Sequence, residues 1–440
     1  MKGLMEWSSD IRRVAMIMLH SHPLADPGSG DAGGMTVYVR EIARSLAARG
    51  ISIDIYTRID CPCRQVETEL FPGVSVIQLP AGPPSTPKED LPDHIGEFTA
   101  GMLDWIASNE LCYDLIHSHY WLSGGVATEV SSRLGVPFVH TFHTLGRAKN
   151  ASLRSLDDPE PDSRLAGEAR VIGAADAIVA STPEERRWLI ELYQASPERI
   201  HLILPGVDHD SFKPAHKEVA KARLGLSGKK TLLFVGRLQP LKAADTAIRA
   251  IGKLVEDRRI APDQARLLII GGASGESGNG EPARLQALAM ELGVESSVVL
   301  LPSQPHQSLP AFFQAADVSL VPSYTETFGL VALEAQASGV PVVASAVGGL
   351  RTIVCDGATG YLVNPGSPEE FADAAWKILS DPHLAKRMSV EAVRHSAGLS
   401  WERSAEQLHG LYSLCLAPEL PTEEPANKPL RTRRKVSPCY

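Results

Sequence analysis

The chain has 440 residues, more than one ordinary hydrophobic core holds, and fits two domains with a remainder. Its 44% hydrophobic and 22% charged content is that of a soluble globular protein. With 43 basic against 52 acidic residues the net charge is −9, which argues against a broad polyanion-binding surface and so against a nucleic-acid partner.

No apolar run reaches membrane length, and the N-terminal "MKGLMEWSSDIRR" has no long apolar stretch before its charges, so a cytoplasmic protein is expected. Six cysteines are scattered along the chain. Cys61 and Cys63 form a C-P-C pair with no second pair at metal-finger spacing, which argues against zinc, and Cys112 and Cys355 read as ordinary residues of a reducing compartment.

In chain order, residues 13–19, 51–57, 114–119, 137–142 and 177–182 read as strands, with helix-periodic segments between them. In "MTVYVREIARSLAARG" the stripe Val39, Ile42, Ala43 and Leu46 faces a core, Arg40, Arg44 and Arg49 form a solvated face, and Gly50 stops the helix. "ILPGVDHDSFKP" (203–214) reads as a linker. The alternation then restarts with strands at 231–236, 266–272, 297–302, 317–322 and 341–346.

Two such arrays predict an α/β protein of two doubly wound parallel sheets, with ligands at the carboxyl ends of the strands and the site in the cleft between the domains. The expected division is 1–204 for the first domain, 205–397 for the second, a helix at about 398–415 packing back on the first, and a disordered tail over 416–440. The tail ends in "RTRRK", a solvated segment first and a weak contact with anionic lipid second.

Three stretches carry chemistry. "DPGSGDAGGM" (26–35) contains G-x-G-x-x-G at Gly28, Gly30 and Gly33, but a Pro-rich loop separates it from the first strand. The second strand offers Asp54 mid-strand and ends at Thr57-Arg58, so a dinucleotide reading survives only as an NADP site using Arg58. Gly33 and Gly34 lie beside a helix start, where free amides suit a phosphate or a sugar. "FVGRLQPLKAADTAI" (234–248) puts Arg237 and Lys242 between a strand end and a helix mouth, a diphosphate clamp. "SYTETFGLVALEAQ" (323–336) puts Glu326 in a loop after a strand and Glu334 in the second turn of the next helix, both able to accept hydrogen bonds from sugar hydroxyls.

These motifs, E-x7-E after "S-x-x-E-x-F-G", G-R-x-x-x-x-K upstream and an N-terminal G-G-M loop, resemble the retaining GT-B glycosyltransferases of family 4, over roughly residues 12–415. "GDAGGMTVYV", "KEDLP", "DLIHSHYWLSG", "HTFHTLGRAKN" and "VGRLQPLKAAD" are more particularly similar to the D-inositol 3-phosphate glycosyltransferases of mycothiol biosynthesis, with sucrose-phosphate synthases as relatives.

The resemblance implies a GT-B fold and transfer of GlcNAc from UDP-GlcNAc to a phosphorylated acceptor, with no obligatory metal or other cofactor. It implies a donor site of Gly34, Arg237, Lys242, Gln304, Glu326, Phe328, Gly329, Leu330 and Glu334. It implies an acceptor site of His20, Gly33, Thr36, Lys88, Tyr120, Thr144 and Arg164. His143, Arg237, Lys242 and Glu326 would serve catalysis. Read from the residues alone, Lys88 and Arg164 are surface charges. Thr36 departs from the family's Asn, which leaves the acceptor ring open. The alternatives are a sucrose-phosphate synthase-like transfer to fructose 6-phosphate, an NADP-dependent oxidoreductase and a non-catalytic sugar-nucleotide binder. A homodimer is compatible with the sequence.

Overall fold

A computed structural model describes residues 11–28, 30, 32–60, 65–151, 159–273 and 280–417. The Cys61–Cys63 pair and the basic tail lie outside the described residues.

The first sheet has eight strands: β1 (Arg13–Ile17), β2 (Ser52–Arg58), β3 (Glu67–Phe71), β4 (Val74–Leu79), β5 (Leu115–His119), β6 (Phe138–Thr141), β7 (Ala177–Ala180) and β8 (Ile200–Leu202). Their spatial order is β3-β4-β2-β1-β5-β6-β7-β8. The second sheet has six: β9 (Lys230–Val235), β10 (Ala265–Ile270), β11 (Val298–Leu301), β12 (Val318–Val321), β13 (Val342–Ser345) and β14 (Gly360–Val363), in the order β11-β10-β9-β12-β13-β14. The central strands are buried on both faces, which accounts for their continuous apolar runs.

The expectation of a wholly parallel first sheet needs correcting. β3 pairs antiparallel with β4 across a hairpin at Pro72-Gly73, where Gly73 adopts φ +79°. "ETELF" is polar and only half-buried, as an edge strand can be, so it lacks the apolar run by which the others are recognised.

In each sheet the strand order reverses once, between β1 and β5 in the first and between β9 and β12 in the second. Crevices open at such points. The helix Trp401–Leu416 covers the first sheet rather than the second. Its Trp401, Ala405, Leu408 and Tyr412 join one core with Val39, Ile42 and Leu46 of the helix Gly34–Ala47. The Tyr412 hydroxyl lies 2.6 Å from His117 Nδ1 on β5. Gly206 of the linker is pressed against this return segment: a Cβ there would stand 2.1 Å from the Ser400 carbonyl carbon.

Cys112 corrects a further expectation. It is disulfide-bonded, whereas Cys355 and Cys415 are free. Among the described residues no helix is long and apolar enough to cross a membrane.

Candidate functional site

The carboxyl ends of β1, β5 and β6 carry the first-domain groups. Tyr120, directly after β5, is their hub. The His20 ring lies 4.2 Å from the Tyr120 ring, Arg164 Cζ 5.2 Å and Lys88 Nζ 5.9 Å. Arg164, on the helix Asp162–Ala174, donates from its Nη2 to Thr144 Oγ1 at 2.9 Å. Thus Lys88, Tyr120, Thr144 and Arg164, distant in sequence, stand together.

The reading of Arg164 as a surface charge fails. Its side chain is 4% exposed and lies between Glu168 (Nε–Oε1 2.9 Å) and Glu160 (Nη1–Oε2 2.6 Å). Part of the signal was local: Arg164 and Glu168 follow at i and i+4 on one face of the helix, while Glu160 lies two residues before it begins. Burial alone would lower the guanidinium's affinity for its proton, but Tyr120, Glu168 and Glu160 outweigh it and raise it. Its Nε donates to Glu168, its Nη1 to Glu160 and its Nη2 to both the hydroxyl and the carbonyl of Thr144, which leaves one of its five N–H groups for an anion.

His20 is held neutral. Burial is the main cause, and the neighbouring charges of Lys88, Arg164, His143 and Arg237 add to it. Its Nδ1 has no hydrogen-bond partner among the described residues. Thr36 is fully buried, with its hydroxyl 3.0 Å from that of Ser21. Its side chain therefore faces Ser21 rather than the open cleft.

His143 follows β6 with φ +61°. Its Nε2 lies 3.1 Å from His119 Nδ1 and its ring 5.0 Å from that of Tyr38, and burial pushes its pKa down to about 3. Tyr120 (φ +71°) and Ala243 (φ +52°), the residue after Lys242, also adopt positive φ. Such backbone costs roughly 1–3 kcal/mol per residue and persists only where the surroundings enforce it, as functional sites do.

The second-domain groups face them. Arg237 follows β9, and Lys242 ends a 3-10 turn, Pro240–Lys242. Lys242 Nζ lies 2.6 Å from Glu326 Oε2, and the Tyr324 amide donates to the Leu241 carbonyl at 2.9 Å, so the two loops are tied side by side. Glu334 sits in the helix Leu330–Ala337, which begins at Gly329 (φ +103°). It is 5% exposed and contacts His306 Nε2 at 2.7 Å through Oε1. Phe328 is buried, Leu330 half-buried, and the Gln304 side-chain amide donates to the Pro302 carbonyl at 3.1 Å.

The glycine loop bridges the cleft. A Cβ on Gly33 would meet Arg237 Nε at 3.4 Å, one on Gly34 would meet Leu330 Cδ1 at 3.5 Å, and one on Gly28 would meet Ser303 Cβ at 3.3 Å. The helix Gly34–Ala47 starts at Gly33 with no side-chain cap, so its N-terminal end, with amides suited to an anion, lies beside Arg237.

Two residues that hold the candidate site's Glu326 loop escaped the sequence reading. Gly348 and Gly349, after β13, clasp the Glu326 loop. The Gly349 amide donates to the Glu326 carbonyl at 2.9 Å, and a Cβ on Gly348 would stand 1.9 Å from that oxygen. "VGGL" after a strand was the available signal. Arg58, by contrast, donates to the Pro83 and Pro84 carbonyls at 2.8 and 3.1 Å, and so is occupied with a loop rather than presented to an NADP phosphate. Among the described residues no cluster of three His, Cys, Asp or Glu side chains forms a metal site.

Comparison with known proteins places this geometry. The family model "Glycosyl transferases group 1" matches residues 216–395, and "Glycosyl transferase 4-like domain" matches residues 33–206. The fold resembles sucrose-phosphate synthase from Thermosynechococcus elongatus, with TM-score 0.84 and 32% identity over 92% of this chain and 98% of that one. HepE of Anabaena, solved in complex with UDP-glucose, shares the fold at TM-score 0.73 and 19% identity, over 91% of this chain and 99% of that one. Two facing Rossmann-like domains with these neighbours define a glycosyltransferase of GT-B architecture.

The chain is 48% identical to the D-inositol 3-phosphate glycosyltransferase of Acidothermus cellulolyticus, over 92% of this chain and 91% of that protein. It is also 48% identical to the Nocardia farcinica enzyme of the same name, over 92% and 90%. The chain therefore belongs to glycosyltransferase family 4, on the branch that carries the D-inositol 3-phosphate glycosyltransferases.

Proposed function

We propose that the protein transfers a sugar, with GlcNAc from UDP-GlcNAc the best candidate, to a phosphorylated polyol such as inositol 3-phosphate, with retention at the anomeric carbon. One observation supports the acceptor phosphate above all: Lys88 and Arg164, from separate segments, converge on the same Tyr120 ring beside the half-buried Thr144 contact. A phosphate there would take charge-assisted hydrogen bonds from both cations.

On the donor side, Arg237, Lys242 and the amides after Gly33 would hold the diphosphate, and Glu326 and Glu334 the hydroxyls of sugar and ribose. Chemistry follows from charge. As the bond between the anomeric carbon and the diphosphate oxygen breaks, negative charge grows on the β-phosphate, where Arg237 and Lys242 stabilise it. The acceptor hydroxyl attacks from the same face and gives its proton to the departing phosphate. His143, held neutral by burial, would border the sugar without adding charge. No metal is assigned a role in this reading.

The Thr36–Ser21 contact favours a second acceptor, fructose 6-phosphate, because Thr36 presents nothing of the family Asn's amide to the acceptor ring. The test is UDP release with UDP-GlcNAc and UDP-glucose, using inositol phosphate, fructose 6-phosphate and their dephosphorylated forms. The phosphorylated acceptors should be favoured by at least about tenfold in kcat/KM, since one charge-assisted hydrogen bond is worth about 1.5–3 kcal/mol. Equal use of free and phosphorylated acceptors removes the phosphate site, and no release with any pair removes the transferase reading.

A further inference from the structure

Glu334 is paired with His306, a residue to which the reaction as described gives no part. Glu334 is almost wholly buried, and its Oε1 lies against His306 Nε2 at 2.7 Å, which leaves Oε2 as the oxygen with spare acceptor capacity. His306 belongs to a 3-10 turn, His306–Ser308, after β11. Its ring rests 5.2 Å from that of Phe212, a linker residue 1% exposed that packs in turn on Phe313. The imidazole is thus backed by the linker, and its Nε2 is aimed at the carboxylate.

We infer that His306 is a positioning residue for the nucleoside end of the donor, fixing the Glu334 carboxylate so that its other oxygen accepts the ribose hydroxyls. This rests on the donor reading proposed above. The charged groups acting on His306 are Glu334 from the helix Leu330–Ala337, and Glu41 and Arg40 from the first-domain helix Gly34–Ala47. Burial works against protonation and Arg40 adds to that, but Glu334, by charge and hydrogen bond, together with Glu41 holds the imidazole above its ordinary value. The charged bond is therefore complete below that raised value and weakens as pH climbs through it.

The experiment is calorimetric titration of UDP and 2′-deoxy-UDP into the wild type, His306→Gln and His306→Ala across a pH series, with donor KM and kcat measured alongside. His306→Ala should raise the Kd for UDP about tenfold, equivalent to about 1.4 kcal/mol. His306→Gln should recover most of the loss, because its amide still donates to Oε1. The penalty should shrink with 2′-deoxy-UDP and fall on donor KM rather than kcat. In the wild type Kd should rise as pH passes through the His306 titration, and in His306→Gln it should be flat there. UDP affinities equal in all three proteins and independent of pH, with only thermal stability lowered, would overturn the inference and leave the donor reading standing. A wild type that binds no UDP would remove both.

Discussion

Replacing Arg164 by alanine should destabilise the protein before it says anything about the acceptor. The side chain is 4% exposed and lies between two carboxylates, Glu168, fully buried, and Glu160, 17% exposed. Removing one member of a buried ion pair costs about 3–5 kcal/mol, because the charge left behind stays out of water. Here the remaining partners soften the loss. Glu168 keeps the Gly146 amide at 3.0 Å and the Tyr193 hydroxyl, and Glu160 keeps Lys149. The expected cost is therefore near the lower bound, about 3 kcal/mol at neutral pH. Burial by itself would raise the Glu160 pKa, but Arg164 and Lys149 lower it, so its contribution is present above the ordinary carboxylate range and lost as pH falls through the depressed value. The deficit of the variant should shrink on acidification for the same reason. Urea unfolding of wild type and Arg164→Ala at neutral and acidic pH measures both. A loss below about 1 kcal/mol, the worth of a solvated pair, would refute the reasoning.

Lys242→Ala should lower kcat by about 10²–10³, the usual cost of removing one stabiliser of a developing anion, and turnover within a few-fold of wild type would take Lys242 out of the diphosphate site. Gly348→Ala should displace the Glu326 carbonyl, 1.9 Å from the new Cβ, and lower turnover by about 10²-fold while the fold survives, as circular dichroism and transfer assays can show. Asp317 accepts from Lys221 at 2.7 Å, Lys217 at 3.2 Å and the Thr231 amide at 2.8 Å. Burial opposes its ionisation but these partners prevail and lower its pKa, so its contribution is present above the ordinary aspartate value and disappears as pH drops through the folded one. Asp317→Asn should remove that acid-dependent loss and lower stability at neutral pH, read as Tm against pH.

Ten of the fourteen strands announce themselves as apolar runs; nine of them are largely buried, and β11 is a half-buried edge strand that is apolar all the same. Of the four that do not, β3 is a polar edge, β8 has only three residues and lies at the other edge, and β14 opens with a glycine and is half-buried at Tyr361 and Leu362; nothing in the structure explains why β4 is not recognised. The residues proposed for the donor were legible because Arg237, Lys242, Glu326 and Glu334 lie in two short motifs after strands. Lys88 and Arg164, proposed for the acceptor, were not legible from local pattern, since Lys88 opens a 3-10 turn and Arg164 sits mid-helix, and only the folded chain joins them at Tyr120. His306 was invisible for the same reason, its partner being 28 residues away.

The long loop between β1 and the helix Gly34–Ala47, which spoils a dinucleotide fingerprint, has a physical purpose in this architecture. A dinucleotide fold serves its phosphate within one sheet, so its glycines follow the first strand at once. Here the candidate site lies between two sheets, and the loop spans toward the second. Gly28 reaches the carboxyl end of β10 so closely that a Cβ on Gly272 would stand 2.7 Å from the Gly28 carbonyl oxygen. Gly33 lies against Arg237, and Gly34 against Leu330. The glycines thus let two backbones and a guanidinium meet where side chains would hold them apart. They also bring the amides of a first-domain helix to the cation that ends the first strand of the second domain. Each sheet supplies one half of the charge arrangement at its own point of strand reversal, and neither half is complete by itself.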